Sequence, residues 1–263
     1  MTTEVLTRLE AMATALDEAA VQRRALTHPL TDDDAGLDAA TAYEIQRLVV
    51  AKRVERGARV VGAKLGLTSA AKQRQMAVSE PLYGWLTSDM VVDPSQPVDL
   101  DAFIHVRAEP EIAFLIGREL AAPATVASVL AATDAVFAAI ELIDSRYEAF
   151  HFRHPDVIAD NASSAGVVVG SVARRPEDVG DLRLLGVVLR RNGVVAGTAA
   201  GAATLGHPAR AVAWLVDRLA GRGEPLEPGS IVLSGGLTDA VPLEPGAVVT
   251  VEVEGLGTVE VRA

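Results

Sequence analysis

The chain has 263 residues, 49% of them hydrophobic and 22% charged, which is enough apolar material for one large domain with a sizeable core. A net charge of −11 works against binding a phosphate backbone, so nucleic acid is not an expected partner, and the absence of cysteine removes disulfides, thiolate metal sites and cysteine nucleophiles. No run approaches about 18 uninterrupted apolar residues, and Glu4, Glu10, Asp17 and Glu18 interrupt any leader-like segment, so a cytoplasmic protein with no membrane partner is expected.

Val5, Leu6, Leu9, Met12, Leu16 and Ala20 recur at helical spacing and predict an N-terminal helix. His28-Pro29 and the Asp32–Asp34 run break the pattern. A second helix is expected over 38–56, opened by Asp38 or by a Thr41–Glu44 capping box and ended by Gly57. Residues 1–57 therefore read as a helical cap and 58–263 as a β-rich catalytic body, the two forming a single structural unit. Strands are expected over 60–67, 111–116, 135–143, 167–169, 185–190, 194–198, 230–233, 248–254 and 258–262. Helices are expected after Thr68 or Ser69 through Met76, over 125–132, and over 208–219 with Pro208 in the first turn. Asn192-Gly193 marks a two-residue hairpin, Gly255-Leu-Gly257 turns the last one, and 174–181 reads as a polar loop. Many short strands with few intervening helices exclude a doubly wound sheet. They predict an α+β fold with a mixed, rolled or barrel-like β body.

Glu109-Pro-Glu111 places two carboxylates on one side of an extended chain, where they repel each other unless a cation or proton lies between them. A hard divalent cation suits such oxygen ligands, although the same spacing also describes a solvated strand face. Pro110 suits an edge or a loop-to-strand junction. Glu141 interrupts the apolar run Ala135–Ile143, where a charge needs a metal or an ion pair, Arg146 being one candidate partner. Lys64 lies between Gly62 and Gly66, as an exposed strand lysine or as a fixed cation for a substrate carboxylate. The polar segments Asp160–Ser164 and Ser234–Thr238 either make turns or present hydroxyl and amide groups to an anion. His207 reads as part of a helix start. Phosphate-loop, nucleophile-elbow, HExxH and dinucleotide fingerprints are all missing.

Taken together, Gly62–Ser69, Ala108–Phe114, Ile140–Arg146, Ala159–Ser164, Leu205–Pro208 and Leu233–Thr238 resemble, in order, the 2-oxo-acid hydratase and decarboxylase group of the fumarylacetoacetate hydrolase-like superfamily. The resemblance runs from Thr41 to the C-terminus and implies a fumarylacetoacetate hydrolase C-terminal-like body. It implies Mg²⁺ (with Mn²⁺ as a substitute) on Glu109, Glu111 and Glu141, no organic cofactor, Lys64 near the substrate carboxylates, and Thr68, Ser163, Ser164 and Thr238 as substrate contacts. The implied ligand is a small unsaturated 2-oxo dicarboxylic acid, and the implied partners are further copies of the chain and a hydratase. Asp144–Phe150, Gly235-Gly236 and Pro81–Gly84 are similar to the branch that decarboxylates 2-oxo-3-hexenedioate, whereas Leu237 is hydratase-like and Pro110 departs from both branches. Hydration of 2-hydroxypenta-2,4-dienoate is the alternative reaction, and a non-catalytic subunit of a hydratase complex is a further one. A C–C hydrolase would need a His–Glu pair, for which no good histidine stands out.

Overall fold

The computed structural model describes residues 3–263. Apolar residues at helical spacing form α1 (Thr3–Gln22), which buries Leu9, Ala13, Leu16 and Ala19. After a short α2 (Leu30–Asp33), α3 (Ala39–Glu55) starts at Asp38, whose carboxylate accepts from Thr41 N at 2.8 Å, so Asp38 is the N-cap. The next elements are β1 (Val60–Gly66), α4 (Ala70–Gln75, capped by Ser69), β2 (Leu82–Thr87), β3 (Arg107–Ile116), α5 (Val126–Ala132), β4 (Thr133–Ile143), α6 (His154–Ala159) and β5 (Ser164–Val169). Then come α7 (Pro176–Val179), β6 (Gly186–Arg191), β7 (Val194–Ala200), α8 (Pro208–Ala220), β8 (Ile231–Leu233), β9 (Val241–Pro242), β10 (Val248–Val253) and β11 (Gly257–Arg262). Asn192 and Gly193 both take positive φ, 52° and 78°, the conformation a tight β6–β7 hairpin demands.

The expected elements are present, but β2, α6 and β9 stand where none was expected, and β5 begins three residues early. The Asp32–Asp34 run, read as a break, carries the single turn of α2, and the 174–181 loop carries α7. Strand β3 begins four residues earlier than expected and runs through Pro110. The proline is tolerated there because β8 pairs with β3 only at Ala113–Leu115 and β9 only at Arg107–Ala108, so the edge between them needs no N–H from residue 110. The Pro110 carbonyl instead accepts from Leu237 N at 3.0 Å.

The strands form a mixed sheet of order β2-β1-β8-β3-β4-β5, with β9 on β3, and a second sheet of order β11-β10-β6-β7. The β1–β8 pair is parallel and its neighbours are antiparallel, giving the mixed β body expected for the fold. Alternation then separates the two faces of the large sheet. Ala63, Leu65, Ile112, Phe114, Ala138, Ile140, Leu142 and Val232 face the main core, which they share with α8 and the second sheet. Ala113, Ala139, Val167 and Leu233 face the opposite side, in a smaller cluster with Leu86 and Met90. Glu109, Glu111, Glu141 and Lys64 occupy this second face. The N-terminal helices pack on α6 through a third cluster that includes Leu9, Leu16, Ile45, Leu82, Val157 and Ala162. Among the described residues, no helix is long and apolar enough to cross a membrane.

Candidate active site

Strand register brings the three glutamates together. Antiparallel β3 and β4 set Glu109 directly opposite Glu141, and Glu111 lies two residues along β3 on the same face. Carboxylate oxygens from all three lie within 4.8 Å of one another. Lys64 reaches this face through β8: it is registered with Leu233, which is registered with Ala113 of β3. Lys64 is 3% exposed and Glu111 and Glu141 are 0% exposed, so none of them is the solvated strand residue that spacing alone allowed. Arg146, the other candidate partner for Glu141, instead forms a buried ion pair with Asp160.

The polar atoms here are short of partners. Lys64 Nζ lies 3.1 Å from Glu141 Oε2, an ion-pair distance without hydrogen-bond geometry, and donates to the Ala162 carbonyl at 2.9 Å. Glu111 Oε2 accepts from Gly235 N at 2.6 Å. Among the described residues, Glu111 Oε1 and both Glu141 oxygens receive no hydrogen bond, although all are sealed from solvent. Buried carboxylates in this condition are costly unless protonated or bound by a cation. Three convergent hard oxygen donors fit a divalent ion of the magnesium or manganese type.

The electrostatics agree with that fit. Burial pushes the Glu111 carboxyl far above its ordinary range, and the neighbouring Glu141 and Glu109 charges push it further. Glu141 is raised from 4.5 to about 7 by burial, against the opposing pull of Lys64. A carboxyl with a raised folded-state pKa stabilises the fold below its unfolded value of about 4.5, and loses that contribution as pH rises through its folded value. The metal-free protein is therefore expected to lose stability through Glu141 as pH rises from 5 to 8. A bound divalent cation needs the ionised forms, so thermal melts should show stabilisation by magnesium that grows over the same interval. A pH dependence of the metal-free melting temperature that Glu141→Gln leaves unchanged would contradict this site.

A cavity of about 140 Å³ opens beside the cluster, lined by Lys64, Lys72, Glu109 and Ser163 and by apolar walls that include Leu67, Leu82, Ile143, Phe150, Phe152 and Val157. Its rim depends on an unusual turn, since Asn161, Ala162 and Ser163 all take positive φ, from 50° to 56°. Such residues cost of order 1 kcal/mol or more each and persist only when neighbours hold them. Asn161 is fixed by Trp85 N and O at 2.7 and 2.8 Å, and Asp160 by Arg146 and the Ser163 hydroxyl. The turn directs the Ala162 carbonyl at Lys64.

Of the expected substrate contacts, Ser163 lines the cavity, while Ser164 is fully buried beside Glu141. Thr68 and Thr238 do not line it. Thr68 is buried against Gly235, and half-buried Thr238 donates its hydroxyl to the Asp239 carbonyl and faces an outer recess. His207 caps α8, its Nδ1 accepting from Ala209 N at 3.0 Å, as expected for a helix start. The sequence reading missed Lys72, whose Nζ is 3.1 Å from Glu109 Oε1, along with Phe150 and Phe152. Burial pulls the Lys72 ammonium down, but the adjacent Glu109 outweighs that and its net shift is upward.

The Gly235-Gly236 pair gives the cluster its room. A Cβ on Gly236 would stand 2.5 Å from Glu109 Oε2, and one on Gly235 would stand 2.1 Å from Thr68 Oγ1 at a φ of +117°. Gly236→Ala should swing the Glu109 carboxylate aside and weaken magnesium affinity roughly tenfold or more, as read by calorimetry. Unchanged affinity would remove Glu109 from the ligand set.

The fumarylacetoacetate (FAA) hydrolase C-terminal model matches residues 57–263. The chain belongs to that family. A 4-oxalocrotonate decarboxylase of a Pseudomonas species is 47% identical over 95% of this chain and 96% of its own length. A 2-keto-4-pentenoate hydratase of Paraburkholderia phymatum is 40% identical over 96% of each. The solved 4-oxalocrotonate decarboxylase from Pseudomonas putida G7, complexed with magnesium and adipate, superposes with a TM-score of 0.94 at 40% identity, over 100% of this chain and 98% of that one. The family fold expected from the motifs is thus shown over the whole β body.

Proposed function

We propose that the chain is a metal-dependent carboxy-lyase that converts 2-oxo-3-hexenedioate (4-oxalocrotonate) to 2-hydroxypenta-2,4-dienoate and CO₂, a step suited to meta-cleavage breakdown of aromatic compounds. The observation that carries this reading is the pairing of a buried carboxylate cluster with an apolar cavity that offers no free acid or base for water. Among the described lining residues, the titratable groups are Glu109, Lys64 and Lys72. Activating a water for hydration, or for C–C hydrolysis, calls for a positioned base that is not spent on metal binding or ion pairing. Decarboxylation needs none, because the electrons leave through the substrate's own conjugated carbonyl. The 47% identical decarboxylase and the magnesium–adipate complex of the structural relative support the same choice.

Glu109, Glu111 and Glu141 would hold the divalent ion. When bound, that ion supplies Lewis-acid stabilisation of negative charge developing on the 2-oxo oxygen, worth several kcal/mol. The C5–C6 bond breaks, its electron pair moves through the chain to the 2-oxo oxygen, and one proton then completes the dienol. Lys64 is fixed by Glu141 and Ala162 O and sets a positive charge beside the cluster for the substrate's carboxylate. Phe150, Phe152 and Leu82 exclude water from the departing carboxylate, whose charge disperses as CO₂ forms.

The 40% identical hydratase keeps hydration as the second reading. Purified protein with Mg²⁺ and 2-oxo-3-hexenedioate should release CO₂ stoichiometrically with loss of substrate. Hydration of 2-hydroxypenta-2,4-dienoate without any CO₂ release from the diacid would overturn the decarboxylase reading. Turnover by the chain alone would also exclude a purely structural role beside a partner hydratase.

A further inference from the structure

We propose that Lys72 determines specificity for the substrate's second carboxylate, selecting 2-oxo diacids over 2-oxo monoacids of equal length. The inference rests on the reaction proposed above. Lys64 and Lys72 are the two cations among the described residues that line the cavity. Lys64 is committed inward, 3% exposed and held between Glu141 and the Ala162 carbonyl. Lys72 stands at the mouth: its side chain keeps 27% exposure, and it lines both the cavity and the outer recess that contains Gly236, Thr238 and Asp239. Its contacts are a 3.1 Å bond to Glu109 Oε1 and a longer 3.4 Å approach to the Thr238 carbonyl. An ammonium has three donors, so capacity for a ligand remains.

The charges define the need. A 2-oxo monoacid adds one carboxylate, which the cluster can receive. A diacid brings a second carboxylate into a space otherwise walled by leucine, isoleucine, valine and phenylalanine side chains, where an unpaired charge is strongly disfavoured. Among the described lining residues, Lys72 is the cation left to meet it. A flexible point charge at the mouth also suits the chemistry that follows. Once the C5–C6 bond has broken and CO₂ has formed, the product has lost the charge Lys72 held, and that contact no longer retains it.

The test is equilibrium binding to the Mg²⁺-loaded protein, by calorimetry, of 2-oxoadipate and 2-oxohexanoate. Both have six carbons and saturated chains, so neither can lose CO₂ through a conjugated carbonyl. The wild type is expected to prefer the diacid by roughly tenfold or more. At saturating Mg²⁺, Lys72→Met should bring the ratio to about one by weakening the diacid alone, with monoacid affinity within about twofold of wild type, and Lys72→Arg should keep most of the preference. A wild-type ratio that survives Lys72→Met would overturn the proposal. So would an equal weakening of both acids, which would mean that Lys72 acts only through Glu109. A wild type with no diacid preference overturns it too, even if the unsaturated diacid is turned over. Conversely, a preference lost in Lys72→Met upholds the assignment even if CO₂ release fails.

Discussion

Glu111→Gln is expected to lower magnesium-dependent turnover about a thousandfold while raising the metal-free melting temperature at pH 8. The two effects have one cause. Glu111 is fully buried, and Glu109 and Glu141 share its face of the sheet. Its Oε2 accepts from Gly235 N, a bond that a glutamine carbonyl preserves. Its Oε1 has no hydrogen-bond partner among the described residues. An amide at that position can donate toward the neighbouring carboxylates and removes a like charge, so the carboxylate cluster relaxes when no metal is bound. The same amide cannot supply the anionic ligand on which the proposed Lewis-acid chemistry depends. A gain of about 1 kcal/mol, or ~2–4 °C in a chain of this size, is a reasonable expectation in differential scanning calorimetry. Near-wild-type activity in Glu111→Gln, or in protein stripped with EDTA, would sink the metal role. A lowered metal-free melting temperature at pH 8 would show that the cluster is not self-repelling.

The second large effect is expected at Lys64. Lys64→Met removes the cation 3.1 Å from Glu141 Oε2 and leaves a fully buried carboxylate among two others. Breaking a buried pair from one side typically costs about 3–5 kcal/mol. The loss should depend on pH in a defined direction. Glu141 already sits near 7 with Lys64 present, and without it the carboxyl is driven further up. At pH 5 it is neutral and the variant loses little; at pH 8 it must ionise or hold a proton against the solvent, and the variant loses most. Lys64→Met/Glu141→Gln should recover the stability at pH 8 and remain inactive, which separates the structural debt of an orphaned charge from the catalytic one. Activity of Lys64→Met itself should fall by about 10² or more, since the fixed positive charge beside the carboxylate cluster is lost. Equal melting temperatures for Lys64→Met and wild type across pH 5–8 would mean that Lys64 and Glu141 are not energetically coupled.

These effects all depend on side chains brought together by pairing over long stretches of chain, and that limits what the sequence alone could disclose. The helices were legible because their information is local. Apolar spacing marks α1, Asp38 and Ser69 cap α3 and α4, and Pro208 sits in the first turn of α8. The β6–β7 hairpin was legible from Asn192-Gly193. The shared face of Glu109 and Glu111 follows from the two-residue period of any strand. The family motifs, in order along the chain, then implied the fold and the acidic ligand set together.

Tertiary structure decided the rest. From Ala135 onward strand β4 is buried or half-buried on both faces, so its sequence around Glu141 is apolar and alternation cannot say which side Glu141 takes. The β3–β4 register settles that by placing Glu141 opposite Glu109, and β8 carries Lys64 to the same face. The partner of Arg146 was equally undecided in sequence, because Asp160 lies 14 residues away and no local spacing links the two. Lys72 and the phenylalanine walls join the cavity from elements that no spacing links to the glutamates. The sequence by itself determined the local elements and the chemical types available to the site. Register and burial decided which of those groups meet, and by removing water they raised the carboxyls of Glu111 and Glu141 into the range where a proton and a metal ion compete for them.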